Sequence, residues 1–218
     1  MKLKEKEIVL YTIWENILNK HTIEKGIIWQ YFKKLNRYYS HTTRYYHNFT
    51  HLKSLFNLCY KFETQITDFE TIALAIFYHD IIYNTNKTNN EEKSAELAQK
   101  HLFNLGFNPE QINRIKKYIL ATKNHNEVTL ENDFDLLFFL DADLSILGSN
   151  QQEYSNYIKN IRKEYQRFPD EIYKAGRMAF LQKLLNQTTI YKTNLFKDQF
   201  EKVARNNIIF EIEYLSKR

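Results

Sequence analysis

Residues 72–82, IALAIFYHDII, run from seven apolar or aromatic positions straight into a histidine and an aspartate. Asp68 stands four residues upstream and can cap a helix that reaches to about 82. Its interior is apolar on every side, so the segment reads as a central helix buried on all its faces. Two ionisable groups at the end of such a run are costly to bury unless they are paired, hydrogen-bonded or bound to a metal. Adjacent helical positions differ by only about 100° in direction. The imidazole of His79 and the carboxylate of Asp80 can therefore reach one ion in a narrow interhelical cleft.

Residues 134–148, FDLLFFLDADLSILG, repeat the pattern. A second central helix is expected here, stopped by Gly148, with Asp141 and Asp143 interrupting its apolar run. Positions two apart point about 200° apart on an ideal helix, so one acid is expected at a metal and the other in a cap or ion pair. A third feature is YYHNFTHL at 45–52. Thr50 can cap a helix over 51–62 that starts with His51, and His47 lies just before it. Three histidines with acids form the mixed nitrogen and oxygen set that suits first-row divalent metals.

The rest of the chain fits helices around these segments. Helices are expected over 8–19, 23–35, 91–105 (ended by Gly106), from Pro109 onward, 152–168, 171–186 and 196–215. The stretches 36–49, 84–90 and 122–133 read as polar connections. With only 4 Gly and 2 Pro in 218 residues, there is little of the turn chemistry that strand-rich folds require. The expectation is an all-α fold of about nine or ten helices. Residues 1–218 would form one domain, with 1–40 as an N-terminal helical extension and 150–218 as C-terminal helices packed on the core.

Composition excludes several function classes. Cys59 is the only cysteine, so no internal disulfide can form and thiol chemistry is not indicated. No HExxH helix, GxSxG elbow, phosphate-binding GK[ST] loop or dinucleotide glycine pattern occurs. No stretch approaches the roughly 20 apolar residues of a membrane helix, and the Lys- and Glu-rich start does not read as a secretory leader. A cytoplasmic location is expected. The net charge of +5 is mild. It suits the attraction of a phosphorylated ligand better than it argues for nucleic acid. The 16 Tyr and 16 Phe are spread over every segment rather than arrayed as a base-stacking platform.

The ordered set resembles the HD superfamily of metal-dependent phosphohydrolases, and is most similar to a bacterial branch of predicted HD phosphohydrolases. The features that carry the resemblance are Tyr46-His47-Asn48 with His51-Leu52, the His79-Asp80 doublet with Tyr83, and Asn90-Glu91 with Ser94-Ala95. Asp141-Ala142-Asp143-Leu144 with Leu147-Gly148 follows, then 161–165 (IRKEY) and Gly176-Arg177. The resemblance spans roughly residues 8–215. It implies a helical HD-type fold and a divalent ion (Mn, Mg, Fe, Co or Zn) held by His51, His79, Asp80 and Asp143, with His47 and Asp141 as the alternatives.

By the same resemblance, the activity is hydrolysis of a phosphate ester or anhydride, in a nucleotide or another small phosphorylated metabolite, by a metal-activated water. Asp80 is suited to bridge a second ion. His125 would assist at the phosphate, and Arg44, Lys123, Arg162 and Arg177 would neutralise its oxygens. Glu92 and Glu164 would orient ligands or line the entrance, and Tyr83 and Tyr165 would stack on a base. Two rival readings use the same scaffold: a non-catalytic nucleotide or nucleic-acid binding module, and a di-iron oxygenase. The aromatic-rich first two helices would either cover the core or form a homodimer surface.

Overall fold

The computed structural model describes residues 3–125 and 133–217, and each of these two stretches forms a compact unit of its own. Among the described residues the secondary structure is entirely helical, with ten α-helices and three short 3-10 turns. None of these helices is long and apolar enough to cross a membrane.

The first unit holds α1 (Glu5–Asn19), α2 (Lys25–Tyr39), α3 (Phe49–Lys61), α4 (Phe69–Tyr78), α5 (Asn90–Asn104) and α6 (Pro109–Ala121). Its centre is α4, whose residues from Thr71 to Tyr78 are all buried. Asp68 caps it, accepting from the Thr71 backbone at 3.0 Å and from the Thr71 hydroxyl at 2.6 Å. Arg114 of α6 donates to the same carboxylate at 3.1 Å. Helices α3, α5 and α6 pack around α4.

Helices α1 and α2 help close this core. Leu10, Ile13, Trp14, Ile17 and Leu18 of α1 and Ile28, Phe32 and Leu35 of α2 are buried. The Trp14 ring meets Phe77 edge-on at 5.2 Å while its indole N–H donates to the Ile28 carbonyl. The first two helices thus cover the core of their own unit.

Helix ends differ from the sequence expectations at three places near the acids and histidines. Helix α2 continues to Tyr39, into a stretch expected to be irregular. Tyr39 is buried, and its hydroxyl donates to the Phe77 carbonyl at 3.1 Å, so tertiary burial extends the helix past its amphipathic pattern. Helix α3 begins at Phe49 because Asn48, not Thr50, is its cap: the Asn48 side chain accepts from the Thr50 backbone at 2.8 Å. Helix α4 stops at Tyr78, and His79 and Asp80 fall in the turn that follows. The α5–α6 corner needs Gly106, whose φ of +84° lets the Phe107 N–H reach the Leu102 carbonyl at 3.1 Å.

The second unit holds α7 (Phe134–Asp143), the 3-10 turn Leu144–Gly148, α8 (Gln151–Glu164), α9 (Asp170–Leu185) and α10 (Asn194–Ser216). The helix expected to run to 147 tightens after Asp143 because α10 crosses here. A Cβ on Gly148 would stand 2.6 Å from the Phe200 Cβ. The Asn207 amide donates to the carbonyls of Leu147 and Ser149 at 2.8 and 2.9 Å. Three helices of this unit share one buried polar network. Arg177 of α9 makes a two-pronged ion pair with Glu211 of α10, at 2.8 and 3.0 Å, and donates to the Tyr157 hydroxyl of α8 at 3.1 Å. Tyr154 of α8 donates to Glu211 at 2.6 Å.

Candidate metal centre

His79 sits where the apolar run of α4 ends, and the helix fixes its ring. Its Nδ1 lies 3.0 Å from the carbonyl of Ile76, one turn back. A carbonyl only accepts, so Nδ1 carries the proton and donates, leaving a lone pair on Nε2. This is the orientation that metal-ligating histidines adopt through an outer hydrogen bond. His51 enters from the first turn of α3, where the cap at Asn48 sets the start of the helix. Its Nε2 lies 3.2 Å from that of His79, and both residues are under 5% exposed. Asp80 brings Oδ2 to 3.2 Å from His79 Nε2 and 3.8 Å from His51 Nε2. All three donor atoms fall within 4.8 Å of one another.

The donor set fits a divalent cation. Ligand atoms held roughly 2.0–2.1 Å from one ion lie about 3 Å apart when adjacent, close to the edges of this triangle. The Nε2 atoms of the two rings face each other 3.2 Å apart in a buried cleft, where one cation can take a lone pair from each. The carboxylate supplies one negative charge against two positive. Two nitrogens and one oxygen, with no thiolate, match the borderline ions of the first transition row.

The surroundings hold this triangle in place. Arg44, 9% exposed, donates to the backbone carbonyls of Asp80, Ile81 and His47 at 2.6, 2.8 and 3.1 Å. The His47 ring packs on Tyr83 with centroids 4.2 Å apart, and Tyr46 lies 5.0 Å from the His51 ring. The first turn of α5 is bolted to the strip after Asp80. Ser94 Oγ accepts from the Ile82 N–H at 3.1 Å, and Asn90 Oδ1 accepts from the Asn84 N–H at 3.0 Å. This attachment brings Glu91 within the electrostatic field of Asp80. Burial pushes the Glu91 carboxyl up and the charges of Asp80 and Glu92 push the same way, against a backbone hydrogen bond at Glu91 and the charge of Lys123.

The structure brings together three of the residues singled out from sequence, His51, His79 and Asp80, and gives several others different partners. Among the described residues, neither His47 nor His125 belongs to the donor group; His125 follows a short 3-10 turn, Thr122–Asn124. Asp141 accepts from the backbone N–H groups of Lys192 and Thr193 and from the Thr193 hydroxyl, each at 2.7 Å. It thereby anchors the strip that caps α10. Lys123 is ion-paired with Glu92. Arg162 closes the α8–α9 corner through Asp170 and the carbonyls of Tyr165 and Phe168. The Arg177 guanidinium lies in a buried network, ion-paired with Glu211 and donating to the Tyr157 hydroxyl.

In the sequence Glu91 enters only as part of the resemblance, with no place in the site. An acid in the first turn of a helix is ordinarily favoured by the helix dipole alone, and that reading conceals its place beside Asp80.

No known family, curated protein or solved structure matches this chain in comparison. What fold and site define is a class: an all-helical protein with a buried two-histidine, one-carboxylate centre suited to a divalent cation.

Proposed function

We propose that the protein is a metal-dependent phosphohydrolase of the HD type, acting on a phosphate ester or anhydride in a nucleotide or small phosphorylated metabolite. The observation that carries this reading is the His51–His79–Asp80 donor triangle, taken with the sequence resemblance, whose His and His-Asp positions are the same residues. A bound divalent ion supplies Lewis acidity toward a phosphoryl oxygen and lowers the pKa of water. The chain's own part is to hold that ion and its surroundings. His79 is oriented by the Ile76 carbonyl, His51 by the capped start of α3, and Asp80 by the turn that Arg44 grips. The resemblance assigns a fourth ligand to Asp143, and the commitment of Asp141 to Lys192 and Thr193 favours that choice within the pair. The mild positive charge of the chain favours encounter with anionic substrates.

The test is a phosphate-release screen over phosphomonoesters and nucleoside mono-, di- and triphosphates, run with Mn, Mg, Co, Fe and Zn in turn. Turnover is expected with at least one ion, and its loss is expected in His79→Ala and in Asp143→Asn. Iron-dependent oxygen uptake without phosphate release would instead identify the oxygenase reading. Tight nucleotide binding with no turnover under any ion would identify the binding module.

A further inference from the structure

We propose that Arg44 is the positioning residue of the metal centre: one guanidinium that locks the segment leading into His51 to the turn that carries His79 and Asp80. The inference rests on the metal-centre reading and deepens it. It also replaces the expectation that Arg44 meets a phosphate.

Arg44 lies in the connection between α2 and α3 and is 9% exposed. Its hydrogen bonds go to main-chain carbonyls on both ligand-bearing segments. Nη1 donates to His47 O at 3.1 Å and to Asp80 O at 2.6 Å, and Nη2 donates to Ile81 O at 2.8 Å. Two tyrosine rings pack against the guanidinium, Tyr39 at 5.0 Å and Tyr83 at 5.7 Å. Tyr83 in turn packs on His47, and Tyr39 donates to the Phe77 carbonyl in the last turn of α4.

The donor triangle depends on this bridge because His51 and the His79-Asp80 turn come from segments that are far apart in sequence. Without this cross-link, the 3.2 and 3.8 Å edges at Asp80 would depend on the packing of α3 against α4 and on the ring contact of His47 with Tyr83. The carbonyls just past the end of α4 have no helical partner, and a planar, permanently charged fork can satisfy several of them at once. A lysine ammonium is a point donor on a flexible stem, with neither that geometry nor the flat face that packs on rings. Groups that orient ligands in this way typically influence metal affinity by about 10- to 100-fold.

The experiment is a Co(II) titration of the full chain, reading Kd by competition with a chromophoric chelator and site geometry from the visible ligand-field bands. Wild type is compared with Arg44→Lys and Tyr83→Leu, and urea midpoints of the metal-free proteins report folding separately. Arg44→Lys is expected to raise Kd about 10- to 100-fold and to shift the bands while remaining folded. Tyr83→Leu, which keeps every Arg44 hydrogen bond, is expected to weaken binding in the same direction by less. A wild type that binds no Co(II) overturns the metal reading itself, and this proposal with it. A wild type that binds, with folded variants of unchanged Kd and spectrum, overturns the role of Arg44 alone. If Arg44→Lys does not fold, Tyr83→Leu decides by the same criterion.

Discussion

His101 should make the first unit acid-labile. It sits on α5 with its Nδ1 3.2 Å from the Tyr78 hydroxyl and its ring edge-on to Tyr31 at 5.0 Å. Burial is the main cause that lowers its pKa from 6.5 to about 4, and the charges of Lys34 and Lys100 act in the same direction. The folded state therefore holds His101 neutral, with Nδ1 free to accept from Tyr78. Between pH 6.5 and 4 the unfolded chain binds a proton at this residue that the folded chain does not. Stability therefore rises with pH across that window and falls on acidification through it. The whole interval corresponds to about 3 kcal/mol, and about 2 kcal/mol of it is lost by pH 5. His101→Gln keeps an acceptor for Tyr78 but cannot take up the proton. Urea unfolding at pH 7.5 and pH 5 should show a drop in wild type that exceeds the drop in the variant by about 2 kcal/mol. Parallel losses in the two proteins would refute the claim that His101 is held neutral in the fold.

Two further predictions concern the second unit. Glu211→Gln leaves the Arg177 guanidinium buried without its counter-charge. The unfolding midpoint should fall by the equivalent of about 3–5 kcal/mol, and an Arg177→Met, Glu211→Leu double variant should recover most of it; equal midpoints for wild type and Glu211→Gln would count against the network. Asp141→Ala removes the acceptor of three hydrogen bonds at the start of α10. It should cost about 2–3 kcal/mol in urea titrations yet leave metal stoichiometry intact, and loss of the ion would move the ligand assignment from Asp143 to Asp141.

Some of this was legible in the sequence for identifiable reasons. The all-helical class followed from the scarcity of Gly and Pro, and His79 and Asp80 stood out because charge at the end of an apolar run has few harmless explanations. His51 is preferred to His47 because the resemblance places the first ligand at the start of a helix, and Thr50 reads as the cap of that helix although the capping side chain is Asn48. The roles of the remaining polar groups depend on partners that sequence spacing does not display. The preference for Asp143 over Asp141 comes from the resemblance, and no spacing shows that Lys192 and Thr193, some fifty positions on, donate to Asp141. Arg177 stands out in the sequence for its charge and two-pronged donors, and no spacing shows that Glu211, on another helix, engages it. Arg44 was singled out for its charge, whereas the structure uses its planar fork and its donors. Helix ends slipped where tertiary contacts overrode local pattern, as at Tyr39.

The most direct measurement is elemental analysis of the purified protein, prepared without a metal-chelating tag, beside an Asp80→Ala variant. Because Mg washes out readily, both proteins would also be dialysed against Mn and Mg before analysis. The donor triangle of His51, His79 and Asp80 predicts near-stoichiometric divalent metal in the wild type and its loss in the variant. A wild type that takes up no ion under either condition, or a variant that retains it, would contradict the metal centre and the hydrolase built on it.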